Sequence, residues 1–251
     1  MKAEKTLGLG ASEMDILMFG EGKTPLVIIC GMSFSGLRGL LPAVEAEYAA
    51  YRDRFRFYIL DRPRTLSPGS GISDYAADIA AAMDLLSIEN AAVYGVSQGG
   101  MIALTLAAVR PDLVSALVLA SSCLCLRETG IETMTVWRDL AAAGQSEALS
   151  RDFAARVYGF IPPALPAVSP DALTRFSILA SACLRFDGTP LLPRITCPRL
   201  VLGSPDDRVF GGESSGALAE ALHCECFLFP GGHAVYDSSH ALFAKIAEFL
   251  S

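Results

Sequence analysis

Short apolar runs of strand length alternate with stretches of helical period along most of this chain, and few folds accommodate that rhythm. Residues 26–30, 55–60, 91–94, 116–119, 200–202 and 226–229 are apolar, β-branched or aromatic runs, several of them patterned as strands buried on both faces. Between them, residues 75–86, 101–109, 216–222 and 241–250 place apolar side chains at helical spacing. Such alternation predicts an α/β fold: a mostly parallel, doubly wound sheet with helices on both faces. Residues 5–9 and 15–19 suggest a leading antiparallel hairpin at the sheet edge. The rhythm breaks from about Cys123 to Pro198, where helical patterns, the single Trp and the run Ile161-Pro-Pro-Ala-Leu-Pro166 intervene. It then resumes at Arg199. The expected organisation is therefore a core of 1–122 and 198–251 with an inserted helical cap at 123–197.

Composition narrows the function classes. At 251 residues the chain can bury a sizeable core, and hydrophobic residues make up 52% of it. A net charge of -7 with scattered Lys and Arg argues against a nucleic-acid partner, because phosphate binding needs clustered cations. No apolar run approaches membrane length, and the first fifteen residues lack the pattern of a signal peptide. A cytoplasmic protein with a small-molecule substrate, no membrane partner and room for a homodimer contact is expected. The seven Cys, with CxC pairs at Cys123/Cys125 and Cys224/Cys226, read as reduced thiols; no disulfide and no metal site is expected.

Chemistry is concentrated in Gly95-Val-Ser97-Gln-Gly99, which follows one strand run and opens a helix. A serine at such a turn adopts a strained backbone that presses together the residues two before and two after it, so Gly95 and Gly99 must lack side chains. Ser97 would then stand exposed above the sheet as a nucleophile. Behind it, the helix N-terminus directs free N–H groups and partial positive charge toward a developing oxyanion.

Only three His exist. His233, in Pro230-Gly-Gly-His233, follows the last strand run and lies at the same carboxyl edge as Ser97, which makes it the candidate general base. His223 falls at the opposite edge, and His240 starts the final helix. A neutral imidazole can take the serine proton if a carboxylate fixes its tautomer. Asp206, in Gly203-Ser-Pro-Asp206-Asp207-Arg208, is the favoured acid, with Asp207 the close rival; the other aspartate would cap the next turn or pair with Arg208. Backbone N–H groups of Gln98 and of Met32, in the loop after the first central strand, are the candidate oxyanion donors.

Gly95-Val-Ser-Gln-Gly99-Gly100, Gly203 with Asp206, Gly231-Gly-His233, Arg110-Pro-Asp112 before Leu117-Val-Leu-Ala120, and Gly31-Met32 together resemble the α/β-hydrolase family over almost the whole chain outside the cap. The resemblance implies a serine hydrolase with a Ser-Asp-His triad and no cofactor. Two departures stand out. Family members usually place His before the oxyanion-loop glycine, where this chain has Cys30. After the strand ending at Leu60 they tend to read Asp-x-Arg-Gly-x-Gly-x-Ser, where this chain reads Asp61-Arg-Pro-Arg-Thr-Leu-Ser67. The expected reaction is hydrolysis of a small or medium ester through an acyl-Ser97 intermediate, with Phe34, Trp137, Tyr158 and Phe160 as candidate pocket walls. An acyltransferase on the same residues and a non-catalytic ligand sensor are the alternatives.

Overall fold

The structure, a computed structural model, describes residues 1–165, 167–234 and 240–251. Eight strands form one sheet: β1 (Lys2–Leu9), β2 (Ser12–Phe19), β3 (Thr24–Ile29), β4 (Phe55–Leu60), β5 (Ala91–Val96), β6 (Val114–Ala120), β7 (Arg199–Gly203) and β8 (Glu225–Leu228). Their spatial order is β1-β2-β4-β3-β5-β6-β7-β8. The last six in sequence run parallel to one another, and the hairpin β1-β2 joins antiparallel at the edge, against β4.

Helices α1 (Leu41–Glu47), α2 (Ile72–Leu85), α3 (Gln98–Val109), α4 (Glu128–Ala142), α5 (Ser146–Val157), α6 (Pro170–Leu184), α7 (Ser214–Leu222) and α8 (His240–Phe249) fill the connections. Successive side chains of a strand point to opposite faces, and β3 shows the result. Val27 and Ile29 enter one apolar core with residues of α2, α3 and α7, while Leu26 and Ile28 enter a second core with Leu242, Phe243 and Ile246 of α8. The central helix α3 is buried from Gln98 to Ala108, which explains why its sequence is apolar on every side.

Strand β3 lies between β4 and β5, so the chain reverses its direction of travel across the sheet there. The carboxyl ends of β3 and β5 therefore diverge into a crevice, the usual ligand position in an open α/β sheet. Helices α4, α5 and α6 occupy the interval between β6 and β7. They approach the crevice through Phe153 and Phe176, whose rings lie 4.9 and 4.6 Å from that of Phe34. Among the described residues, no helix is long and apolar enough to cross a membrane, and no group of three or more His, Cys, Asp or Glu side chains could hold a metal ion.

Candidate active site

Strand β5 ends at Val96, and the backbone of Ser97 turns abruptly to φ 54°, ψ -122° before α3 begins at Gln98. That conformation is costly for a residue with a side chain, and the surroundings enforce it. A Cβ on Gly95 would collide with the Gly99 carbonyl and with α3. One on Gly99 would overlap the carbonyl oxygens of Ile29 and Cys30. The two glycines thus admit the turn as the sequence demands. Ser122 adds a brace that sequence reasoning missed: its hydroxyl donates to the Ser97 carbonyl at 2.9 Å.

The Ser97 hydroxyl lies 2.9 Å from Nε2 of His233, whose Nδ1 lies 2.8 Å from a carboxylate oxygen of Asp207. All three side chains are buried. The carboxylate corrects the sequence reading, which favoured Asp206. After β7, Asp207 N–H approaches the Ser204 carbonyl at 3.4 Å, closing a turn in which Pro205 and Asp206 are the central pair. Pro suits the first of these positions, and the second projects outward, so Asp206 is exposed. Asp207, one residue on, turns back beneath the imidazole. Its other oxygen accepts the N–H groups of Val209 at 2.7 Å and Phe210 at 3.0 Å. One aspartate thus both caps the next turn and faces the histidine, two roles that the sequence reading had divided.

Burial raises the Asp207 pKa, but the charge of His233, its hydrogen bond and the two backbone donors outweigh this and hold the carboxyl below its ordinary 3.8. With Asp207 ionised, Nδ1 carries the proton and Nε2 is left to accept one from Ser97. The Phe210 ring stands edge-on to the imidazole at 5.1 Å and fixes its plane. His233 itself sits in a short 3₁₀ turn, Gly232–Ala234, entered through Gly231 and Gly232 at positive φ. The buried Ser204 hydroxyl accepts from Asp206 N–H at 3.1 Å and Gly232 N–H at 3.2 Å, tying the loop that bears Asp207 to the loop that bears His233.

The loop after β3 passes directly over the serine: a Cβ on Gly31 would lie 3.1 Å from Ser97 Cβ. Among the described residues, neither the Met32 N–H nor the Gln98 N–H donates to a protein group. The Gln98 side chain instead donates to the Leu179 carbonyl at 2.8 Å and to Cys183 Sγ at 3.0 Å, linking the start of α3 to α6.

Of the four expected pocket walls, Phe34 and Tyr158 line a cavity of about 620 Å³ with Met32, Leu37, Val44 and Phe153; its walls include Gly31 and Val96, which adjoin Ser97, but neither Ser97 nor His233 itself. Trp137 and Phe160 are corrections. Trp137 is buried among the helices, its indole N–H donating to Asp152 at 2.7 Å. Phe160 is 63% exposed and lines no described cavity. The side chain of His240 lies outside the described residues, and His223 caps α7 at the far edge of the sheet in a left-handed conformation. All seven cysteines are free thiols, and burial pushes Cys30 up to about 12.

The sequence model described as "Alpha/beta hydrolase family" matches residues 26–246. The chain belongs to the α/β-hydrolase family. Among curated relatives it is 26% identical to "Putative carbamate hydrolase RutD" of Stutzerimonas stutzeri (strain A1501), with 84% of this chain and 87% of that protein covered. Among solved structures, the enol-lactonase from Burkholderia xenovorans LB400 superposes with a TM-score of 0.83 at 20% identity, covering 98% of this hydrolase-family chain and 99% of that one. The bromoperoxidase from Bacillus anthracis gives a TM-score of 0.80 at 17% identity, with 99% of each chain covered. At those identities the structural likeness speaks to the fold.

Proposed function

We propose that this α/β hydrolase is a serine esterase acting on a small or medium ester-type carbonyl through an acyl-Ser97 intermediate. The observation that supports it best is the buried relay from Ser97 through His233 to Asp207, with contacts of 2.9 and 2.8 Å. His233 Nε2 takes the hydroxyl proton as Ser97 Oγ attacks the carbonyl carbon. The N–H groups of Met32 and Gln98 receive the resulting oxyanion. Collapse of the tetrahedral intermediate breaks the bond to the leaving group, which departs with the proton from His233. A water then attacks the acyl-enzyme, gives its proton to His233, and releases the acid as Ser97 regains its own. Asp207 holds the tautomer throughout, and helices α4–α6 act as the cap over this site.

Comparison adds direction. The relatives' printed names include a carbamate hydrolase and an enol-lactonase, and both substrate classes contain a carbonyl bonded to a heteroatom leaving group. The neighbouring cavity has mainly apolar walls, in keeping with an apolar acyl portion. Turnover of p-nitrophenyl acetate and butyrate is expected, together with loss of about 10⁶-fold in kcat in Ser97→Ala. A fluorophosphonate probe should add mass at Ser97. A folded protein inert to both ester and probe would sink the reading.

A further inference from the structure

Strands β3 and β4 are parallel neighbours with Ile29 paired to Leu60, so the residues two places beyond each pair, Gly31 and Arg62, emerge side by side at the carboxyl edge. Arg62 does not turn outward from there. Its side chain is fully buried, with its charge met by Asp61 at 2.7 Å. Its two terminal nitrogens donate to the Cys30 carbonyl at 2.5 Å and the Gly31 carbonyl at 2.6 Å. A buried arginine is costly unless its donors find partners; here each terminal nitrogen bonds one of two consecutive peptide groups of the loop that crosses Ser97, while Nε has no hydrogen-bond partner among the described residues.

We propose that Arg62 is the positioning residue for the oxyanion hole, acting through the Gly31-Met32 peptide. A trans peptide directs its C=O and N–H to opposite sides. Once the Gly31 carbonyl is turned to Arg62, the Met32 N–H is turned away from it, and no described protein group accepts that N–H. The guanidinium also polarises the amide it binds, strengthening the N–H as a donor. Cys30 supplies no comparable hold, since its buried thiol is a weak donor. The two places where this chain departs from the usual pattern of its family, Cys30 before the loop glycine and Asp61-Arg62-Pro63 after β4, are therefore in contact, and the second supports the loop that the first leaves unsupported.

This inference rests on the esterase reading, and its test separates the two. Steady-state kinetics on p-nitrophenyl butyrate would be measured for wild type, Ser97→Ala, Arg62→Lys and Arg62→Ala, the last with and without added guanidinium ion. If Arg62 positions the donor, Arg62→Ala lowers kcat by about 10² to 10³-fold, the loss typical of one oxyanion donor, with KM changed less than threefold. Guanidinium then restores at least tenfold, and Arg62→Lys, which keeps the charge but not the fork, lies between. The pH profile of Arg62→Lys should keep the position of its limbs while losing height. Should Arg62→Ala fold poorly, the kcat and pH profile of Arg62→Lys decide alone. Wild-type turnover that Ser97→Ala abolishes and the Arg62 variants retain would overturn this inference and leave the esterase reading standing. So would a loss confined to KM or to melting temperature. No wild-type turnover and no labelling of Ser97 by a fluorophosphonate would overturn both.

Discussion

The serine and the carboxylate of this site are held in place by different physics. At the elbow, hard contacts decide: Gly95 and Gly99 meet backbone atoms that cannot move aside, and Ser97 is driven to φ 54°. At the loop after β7, hydrogen bonds decide: Asp207 accepts two backbone N–H groups and faces His233, while Ser204 ties its loop to the next. The steric demand falls on two glycines within one short motif, even though Gly99 meets its obstacle on β3 and the loop after it, and it admits one answer. Hydrogen bonding between loops depends on where two distant segments meet, and adjacent aspartates compete for it on nearly equal terms.

Asparagine at each of the two aspartates gives the hardest test of that comparison. Asp207→Asn removes the carboxylate that fixes the imidazole tautomer, and kcat should fall by about 10⁴-fold. Asp206→Asn, altering an exposed turn residue, should stay within about twofold of wild type. The reverse order would mean that the loop rearranges when substrate binds. Stability supplies an independent reading. The folded pKa of Asp207 is depressed, so its ionisation stabilises the fold above the unfolded value near 3.8, and that contribution is lost as pH falls through the lower folded value. The melting temperature of Asp207→Asn should therefore decline less steeply below about pH 4 than that of wild type.

Gly99→Ala tests the steric half. The added methyl would overlap the carbonyl oxygens of Ile29 and Cys30, which belong to β3 and the loop after it and have nowhere to go. A loss of about 3–5 kcal/mol is expected, read by urea or thermal unfolding. A melting temperature within a degree of wild type would show that β3 and the elbow can move apart at little cost.

What the sequence made legible follows the same division. Strands buried on both faces, the edge hairpin and the glycine-flanked elbow were readable because each rests on a short-range rule: side-chain period, turn geometry, or absence of Cβ. Short helix α1 escaped notice because Leu41–Glu47 is too brief to establish a period. Asp207 ranked behind Asp206 because the choice between them depends on the turn at Pro205-Asp206 and on the position of an imidazole 26 residues further along. Arg62 looked only like a departure from a motif until β3 and β4 were paired. Trp137 and Phe160 were aromatic residues in the right interval, but only the packing of α4–α6 shows that one fills their interior while the other faces solvent.

Ser204 gives the finest test, since it bears on the hydrogen-bonded side alone. Its hydroxyl oxygen accepts from Asp206 N–H and Gly232 N–H at the centre of a buried contact between two loops; the close approach of Gly212 to the Pro205 backbone shapes the first loop sterically, but the tie between the two loops is this hydroxyl. Ser204→Ala leaves both N–H groups without that acceptor, so a loss of about 1–3 kcal/mol in stability is expected. If the bridge also aligns His233 with Asp207, kcat should fall roughly tenfold, since small misplacements of catalytic groups are costly, with Ser204→Thr recovering most of it through its own hydroxyl. A stability loss with unchanged kcat would show that Asp207 and the Phe210 ring orient the imidazole without help. The acid–base half of the site would then be more self-sufficient than the comparison with the elbow allows.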